Sequence, residues 1–291
     1  MMKINGYTRT CGLIGNPVEH TMSPAIHNTL AEELEENLVY VPFHVPTGQV
    51  REAVEGAYAL NLLGCNVTVP YKSEVIPYLK EIDGLAERIG AVNTLVRTEG
   101  GFRGYNTDMP GLYRAMCEDD VKIDGEKVLL LGAGGVARAV AMLLADKGAA
   151  EIIILNRTIE KAQKIAEEIN GYLGKEKIRT LAMDAYAELP EGERYLAIQA
   201  TNVGMFPHTD AAVIEDADFY KKVHTGYDLV FNPAETRFMK LTKESGGRAY
   251  NGLKMLLYQG IIAYELWTGA KVSGELANKA YTEMKRVMNL E

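Results

Sequence analysis

Short apolar runs alternate along the chain with stretches whose apolar side chains recur at helical spacing. The first third opens with TCGLIG (10–15), a strand pattern. SPAIHNTLAEELEE (23–36) follows as a helix, with Ser23 a candidate N-cap and Pro24 at the first helical position. LVYVPFHV (38–45) is rich in β-formers, and Val50, Ala53, Val54, Ala57 and Leu60 then keep helical register. GCNVTV (64–69) and AVNTLV (91–96) are two further strands, and GLYRAMCED (111–119) is a helix. A polar, glycine-containing stretch, DVKIDGEK (120–127), marks a boundary. A second strand–helix series follows it: KVLLLGAGG, a helix, EIIILN, a helix, then LAIQAT and GYDLV. Two helical patterns close the chain, 252–267 and 274–288. Strands alternating with helices predict an α/β layer structure. The 291 residues are enough for two domains, each with its own core.

Composition narrows the function classes. Apolar residues make up 47% of the chain and charged residues 24%, as in a globular enzyme. A net charge of −8 argues against broad binding to nucleic acid or an anionic membrane. Cys11, Cys65 and Cys117 are widely spaced and odd in number, so neither a disulfide framework nor a thiolate zinc site is expected, and no metal is. MMKINGYTRT lacks a signal-peptide core, and no apolar run approaches the roughly 20 residues of a membrane span. A reduced, cytoplasmic setting is the expectation. His20 and His27 lie seven apart, and a structural role is the plainer reading than a metal role.

The strongest local signal is VLLLGAGGVARAVAMLLADKG (128–148). An apolar strand runs into Gly132, Ala133, Gly134 and Gly135, and a helix follows, with Val136 and Ala137 in its first turn. Gly132 allows the tight turn, and Gly134 lets a pyrophosphate approach the backbone. The helix start then offers free N–H groups to the phosphates. The strand–turn–helix context is what raises G-x-G-x-x-[GA] above a chance match. The next strand ends at Asn156, where a ribose-binding carboxylate would favour NAD. Asn156, Arg157, Thr158 and Lys161 instead suit a 2′-phosphate, although Thr158 would serve equally as a plain helix cap. NADP is the expected cofactor.

In the first domain single residues are ambiguous. Ser23 reads as a cap, Lys72 as a solvated lysine and Asp108 as a turn residue before Pro110. Asn66 and Asn93 sit in apolar strands, where an amide needs partners that a ligand can supply. As a set, however, the segments resemble the shikimate dehydrogenase family, including its quinate/shikimate relatives. GLIGNPVEHTMSPAIHN (12–28), GCNVTVPYK (64–72), IGAVNTLV (89–96), GYNTDMPG (104–111), LLGAGGVARA, LNRT and NGLKMLLYQG (251–260) carry the resemblance in order.

The resemblance implies a reversible, NADP-linked reduction of 3-dehydroshikimate to shikimate, on the route to chorismate and the aromatic amino acids. It implies an α/β substrate domain over 1–113, completed by 252–291, and a Rossmann-like NADP domain over 114–251. Lys72 and Asp108 correspond to the catalytic pair. Thr21, Ser23 and Tyr227 fall near the substrate carboxylate. Asn66, Thr68, Asn93 and Gln259 fall at hydroxyl-binding positions, and Thr201, Gly204, Met205 and Gly252 at cofactor positions. A ketone reduction needs a proton donor about 3 Å from the oxygen, a role open to an ammonium. The first carboxylate-binding position is usually serine; Thr21 keeps the hydroxyl but adds a methyl, which would crowd the extra ring hydroxyl of quinate. The alternatives are a quinate/shikimate dehydrogenase with the same pair, another NADP enzyme with a lysine-centred site such as a methylenetetrahydrofolate dehydrogenase, or a non-catalytic NADP-binding regulatory module. Retention of Lys72 and Asp108 weighs against the last. The partner is a small-molecule substrate, without nucleic acid or membrane, in a monomer or homodimer.

Overall fold

A computed structural model describes residues 4–290, which divide into two compact units. One comprises the chain up to Leu112 together with the chain from Leu256 onward; the other is Tyr113–Met255.

The first unit is built on a mixed six-stranded sheet. In chain order its elements are β1 (Arg9–Gly15), α1 (Ser23–Glu33), β2 (Leu38–His44), α2 (Val50–Ala59), β3 (Gly64–Val67), β4 (Glu81–Ile82), α3 (Gly84–Ile89), β5 (Thr94–Thr98) and β6 (Gly101–Tyr105). The sheet order is β2-β1-β3-β5-β6-β4. The strands β2, β1 and β3 run parallel, joined by helical crossovers, whereas β5 is antiparallel to both β3 and β6. Ile14, Val54, Cys65, Val67, Tyr71, Leu95 and Phe102 belong to one buried core of this unit. Two late helices, α9 (Leu253–Thr268) and α10 (Gly274–Val287), follow the second unit in sequence. Here α10 packs on α1, with Lys279 bonded to Glu33 at 2.6 Å. The helix α4 (Asp108–Glu118) links the two units in sequence.

The second unit is an all-parallel doubly wound sheet. Its elements are β7 (Lys127–Leu131), α5 (Gly135–Asp146), β8 (Glu151–Asn156), α6 (Ile159–Leu173), β9 (Ile178–Ala182), β10 (Tyr195–Gln199), α7 (Ala217–Lys221), β11 (Val223–Asp228), α8 (Arg237–Glu244) and β12 (Arg248–Tyr250). The order β12-β11-β10-β7-β8-β9 places the reversal between β7 and β10, where such sheets bind ligands beyond the strand ends. The continuous apolar runs of β7, β8 and β10 are what a strand covered on both faces requires. The polar stretch 120–127 is the approach to β7 within this unit.

Several local expectations are corrected. Ser23 is not the cap of α1. Met22 holds that position without a side-chain bond, and the Ser23 N–H is taken by Thr21 Oγ1 at 3.2 Å, which draws Ser23 into the first turn. The AVNTLV strand begins only at Thr94. Val92 N–H bonds the Lys72 carbonyl (2.7 Å) and Asn93 N–H the Tyr105 carbonyl (3.0 Å), so the two residues before it bind other segments instead. Likewise β3 ends at Val67, since Tyr71 N–H closes a turn on the Thr68 carbonyl at 2.9 Å. All three cysteines are free thiols; burial pushes Cys65 up to about 12, and Cys11 is raised further. No helix among the described residues is long and apolar enough to cross a membrane.

Candidate active site

In the first unit the site grows from three segments that leave the sheet at neighbouring strand ends. After β3 the chain passes Thr68 and Pro70 to Tyr71, whose buried hydroxyl donates to the Val45 carbonyl at 2.8 Å and anchors the turn. The next residue is Lys72. Its carbonyl is tied to Val92, and its Nζ donates to Asp108 Oδ2 at 2.7 Å. Asp108 opens α4, where the helix dipole favours a carboxylate. Asn106 supplies the cap that the sequence pattern did not reveal: its Oδ1 accepts from Asp108 N–H (3.1 Å) and Met109 N–H (3.4 Å). The two side chains remain reachable by solvent, Lys72 at 34% and Asp108 at 18%.

Asn93 fixes the other carboxylate oxygen. Its Nδ2 donates to Asp108 Oδ1 at 2.9 Å and to Thr107 Oγ1 at 3.0 Å, while its Oδ1 accepts from Thr107 N–H at 2.8 Å. Asn66, on β3, donates to Thr94 Oγ1 at 3.1 Å and accepts from the Tyr40 hydroxyl at 2.8 Å. Lys72, Asp108, Asn93 and Asn66 thus belong to one bonded group. Thr21 and Ser23 form a hydroxyl pair at 3.2 Å, with Ser23 beside the Tyr40 hydroxyl. Thr68 is half-buried at the end of β3. Gln259 sits on α9, its Nε2 bonded within its own helix to the Leu256 carbonyl at 2.8 Å.

Gly111 lets α4 approach α9 at this point. A Cβ there would stand 2.6 Å from Gln259 N and 2.9 Å from its Cα, both backbone atoms with little freedom to yield. Gly111→Val is expected to cost about 3 kcal/mol, the upper range for overpacking. The helix-propensity gain over glycine, below about 1 kcal/mol, is too small to offset it. Denaturant unfolding measures this; a variant as stable as the parent contradicts the tight contact.

The second unit carries the glycine turn. Gly132 has φ +109°, a conformation only glycine adopts easily. A Cβ at Gly134 or Gly135 would meet nothing within 4 Å, and Gly134 caps α5 with no side-chain bond. The first N–H groups of α5 therefore face an open cradle, with Ala133 partly covered, Val136 exposed and Ala137 buried against the sheet. At the end of β8, Asn156 Nδ2 donates to the Thr158 carbonyl at 2.7 Å, and Thr158 caps α6 without a side-chain bond. Arg157 and Lys161 are exposed. This donor set fits a phosphate ester.

Beyond β10 and β11 lies a buried polar clamp that sequence patterning missed. Asp228, wholly buried, accepts from Gln199 Nε2 (3.1 Å), Val230 N–H (2.9 Å) and Thr236 Oγ1 (2.6 Å). Burial nevertheless pushes its carboxyl up to about 7. Gln199 in turn binds Thr201 N–H at 2.5 Å and the Val203 carbonyl at 3.1 Å, setting the loop that carries Gly204 (φ +84°) and the exposed Met205. Gly252 donates to the Val230 carbonyl at 3.1 Å. Tyr227 is also buried, and its hydroxyl donates to Asp119 at 3.3 Å; Asp119 in turn holds Lys254 at 2.6 Å. The sequence offered no signal for Asp119, which lies 108 residues from Tyr227.

A doubly wound sheet with an open glycine cradle, in a chain that also carries a lysine–carboxylate pair, defines a dinucleotide-linked oxidoreductase. Comparison with known proteins specifies the class. Residues 13–95 match the family model described as shikimate dehydrogenase substrate binding domain. Residues 115–189 match shikimate / quinate 5-dehydrogenase, and 252–276 the shikimate 5′-dehydrogenase C-terminal domain. The chain is 43% identical over 279 residues to shikimate dehydrogenase (NADP(+)) of Carboxydothermus hydrogenoformans, covering 96% of this chain and 98% of that one. Among solved structures it resembles a shikimate dehydrogenase in complex with NADP+ (39% identity, TM-score 0.88, 96% of each chain). It also resembles the Listeria monocytogenes shikimate 5-dehydrogenase in complex with shikimate and NAD (33% identity, TM-score 0.88, 99% of each chain). The chain belongs to the shikimate dehydrogenase family.

Proposed function

We propose that this protein catalyses the reversible, NADP-linked reduction of 3-dehydroshikimate to shikimate, and so serves aromatic amino-acid biosynthesis. The observation that carries the reading is the 2.7 Å Lys72–Asp108 contact with Asn93 on the second carboxylate oxygen. In the reducing direction Lys72 Nζ donates a proton to the ring ketone oxygen and stabilises its developing negative charge. Asp108 holds the ammonium in place, and Asn93 holds Asp108. In the oxidising direction Lys72 takes the hydroxyl proton back. When bound, NADPH would supply the hydride for reduction and NADP+ would accept it in oxidation.

Thr21 and Ser23 serve the substrate carboxylate, a role the family resemblance extends to Tyr227. Asn66, Thr68, Asn93 and Gln259 border the ring hydroxyls. Because the Asn66 and Asn93 amide hydrogens are engaged within the protein, the substrate hydroxyl that meets Asn66 acts as donor. For the cofactor, the open turn Gly132–Ala137 suits the pyrophosphate, and Asn156, Arg157, Thr158 and Lys161 suit the 2′-phosphate. Thr201, Gly204, Met205 and Gly252 suit the nicotinamide end. NADP+ reduction with shikimate, and with quinate alongside, tests the reaction; no turnover with shikimate overturns it.

Cofactor choice has its own test. A charge-assisted bond is worth about 1.5–3 kcal/mol. Arg157→Ala is therefore expected to lower kcat/KM for NADP+ by about 10- to 100-fold and leave that for NAD+ nearly constant. An equal loss with both cofactors removes the 2′-phosphate role.

A further inference from the structure

We propose that Tyr40 is a positioning residue: its phenol hydroxyl locks the Asn66 amide as an acceptor towards substrate, in a directed hydrogen-bond chain that ends on Asp108. The inference rests on the functional reading above and extends it to residues outside the family motifs.

Tyr40 is held on three sides. Asn28 brackets its backbone, donating to its carbonyl at 3.1 Å and accepting its N–H at 2.8 Å. The His27 ring stacks on its face, with centroids 4.2 Å apart and planes at 19°. Trp267 packs at 6.0 Å and is itself bonded to the Leu95 carbonyl at 2.8 Å. The side chain is 1% exposed, so its hydroxyl has no access to bulk water. That hydroxyl donates to Asn66 Oδ1 at 2.8 Å, and the Ser23 hydroxyl borders the phenol oxygen itself.

Donor accounting then fixes the Asn66 amide. Its Nδ2 donates to the Asn93 carbonyl at 3.3 Å and to Thr94 Oγ1 at 3.1 Å, which uses both hydrogens. A flipped amide would set its oxygen against the Asn93 carbonyl and leave the Tyr40 proton facing an N–H group. The Asn66 Oδ1 is thereby fixed as the acceptor end of the amide, with the Tyr40 hydroxyl as its donor and the His27 ring beside it. The wholly buried Thr94 passes the direction on, donating to Asn93 Oδ1 at 3.1 Å. Asn93 donates to Asp108 Oδ1 at 2.9 Å, and Lys72 to Oδ2 at 2.7 Å. From Tyr40 to Asp108 every link donates the same way. Asp108 accepts on both oxygens, which leaves Lys72 as the proton source.

Tyr40→Phe keeps the ring and its stack on His27 but removes the hydroxyl that donates to Asn66 Oδ1. The expected result is an approximately tenfold rise in KM for shikimate, the size of one lost hydrogen bond. A change in kcat of less than about threefold and an unchanged Kd for NADP+ should accompany it. Deoxy analogues of shikimate, each lacking one ring hydroxyl, give a second readout. The analogue that the parent protein rejects at Asn66 should be discriminated against about tenfold less in the variant, because a freed amide can turn to suit it. Thr94→Val, which breaks the next link, should shift the same two quantities in the same direction. A Tyr40→Phe protein with unchanged KM and unchanged discrimination overturns the proposal. So does one in which KM for shikimate, Kd for NADP+ and melting temperature all worsen together, which marks general damage. A parent protein that does not oxidise shikimate overturns the functional reading and this one with it; an active parent with an indifferent Tyr40→Phe overturns this one alone.

Discussion

Lys72→Ala is expected to lower kcat by at least about 100-fold, the low end for loss of a general acid. Alanine cannot deliver a proton, and no other cationic side chain is bonded to Asp108 among the described residues. The effect should be kinetic rather than structural. Lys72 is a third exposed, and partly exposed ion pairs contribute about 1 kcal/mol or less to stability. Asp108 keeps its bonds to Asn93 and to the Asn106-capped turn. NADP+ affinity and melting temperature measured on the same preparation should stay close to the parent's. Near-normal turnover would remove Lys72 from the chemistry, and a collapsed melting temperature would move it from the chemistry to the fold.

The second large effect is on acid stability. His27 is fully buried, and among the described residues neither ring nitrogen makes a hydrogen bond of normal geometry, with only the Asn66 amide close beside the ring. Burial lowers its pKa to about 3 from 6.5. Between those values the unfolded chain binds the proton and the folded protein does not. The stability that goes with neutral His27 is therefore complete above pH 6.5 and lost as the pH falls towards 3, by up to about 5 kcal/mol. Asp228 acts with opposite sign. Its carboxyl is raised from 3.8 to about 7, so the cost of ionising it in place is present above pH 7 and relieved on acidification. The parent's pH profile thus mixes two opposed contributions, and only a paired comparison isolates His27. His27→Phe, which preserves an aromatic face for Tyr40, is expected to flatten the loss between pH 6.5 and 3 relative to the parent. Denaturant unfolding across that range measures it, and parallel curves for the two proteins would rule it out.

These results also separate what was legible in the sequence from what was not. The glycine turn could be read because one local pattern, apolar strand into GAGG into helix, corresponds to one local structure, and Gly132 does take the conformation that the pattern needs. The strands β7, β8 and β10 were equally plain, since burial on both faces leaves continuous apolar runs, whereas the half-covered β9 carries none. By contrast, β6 and the two-residue β4 are short and mixed in polarity; β6 is held by its antiparallel pairing with β5, which no helical or strand period announces. Ser23 lies inside α1 rather than at its cap: its own N–H is taken by Thr21 Oγ1 and Met22 holds the cap position, a one-residue shift that local propensity does not settle. Tyr40 is hidden within an apolar run, and its partner Asn66 is 26 residues away. Asp228 looks like any residue of a GYDLV strand until Gln199, Val230 and Thr236 are seen to close around it. Long-range polar pairing leaves no period behind.

Asn93 is bonded at once to the Thr107 main chain, the Asp108 carboxylate and the Thr94 hydroxyl. Neighbouring strand and helix therefore share a single amide, and neither can drift without dragging the other. Mutations around it should be strongly epistatic, tolerated in matched sets and rejected singly, so this corner of the protein is inherited as a block.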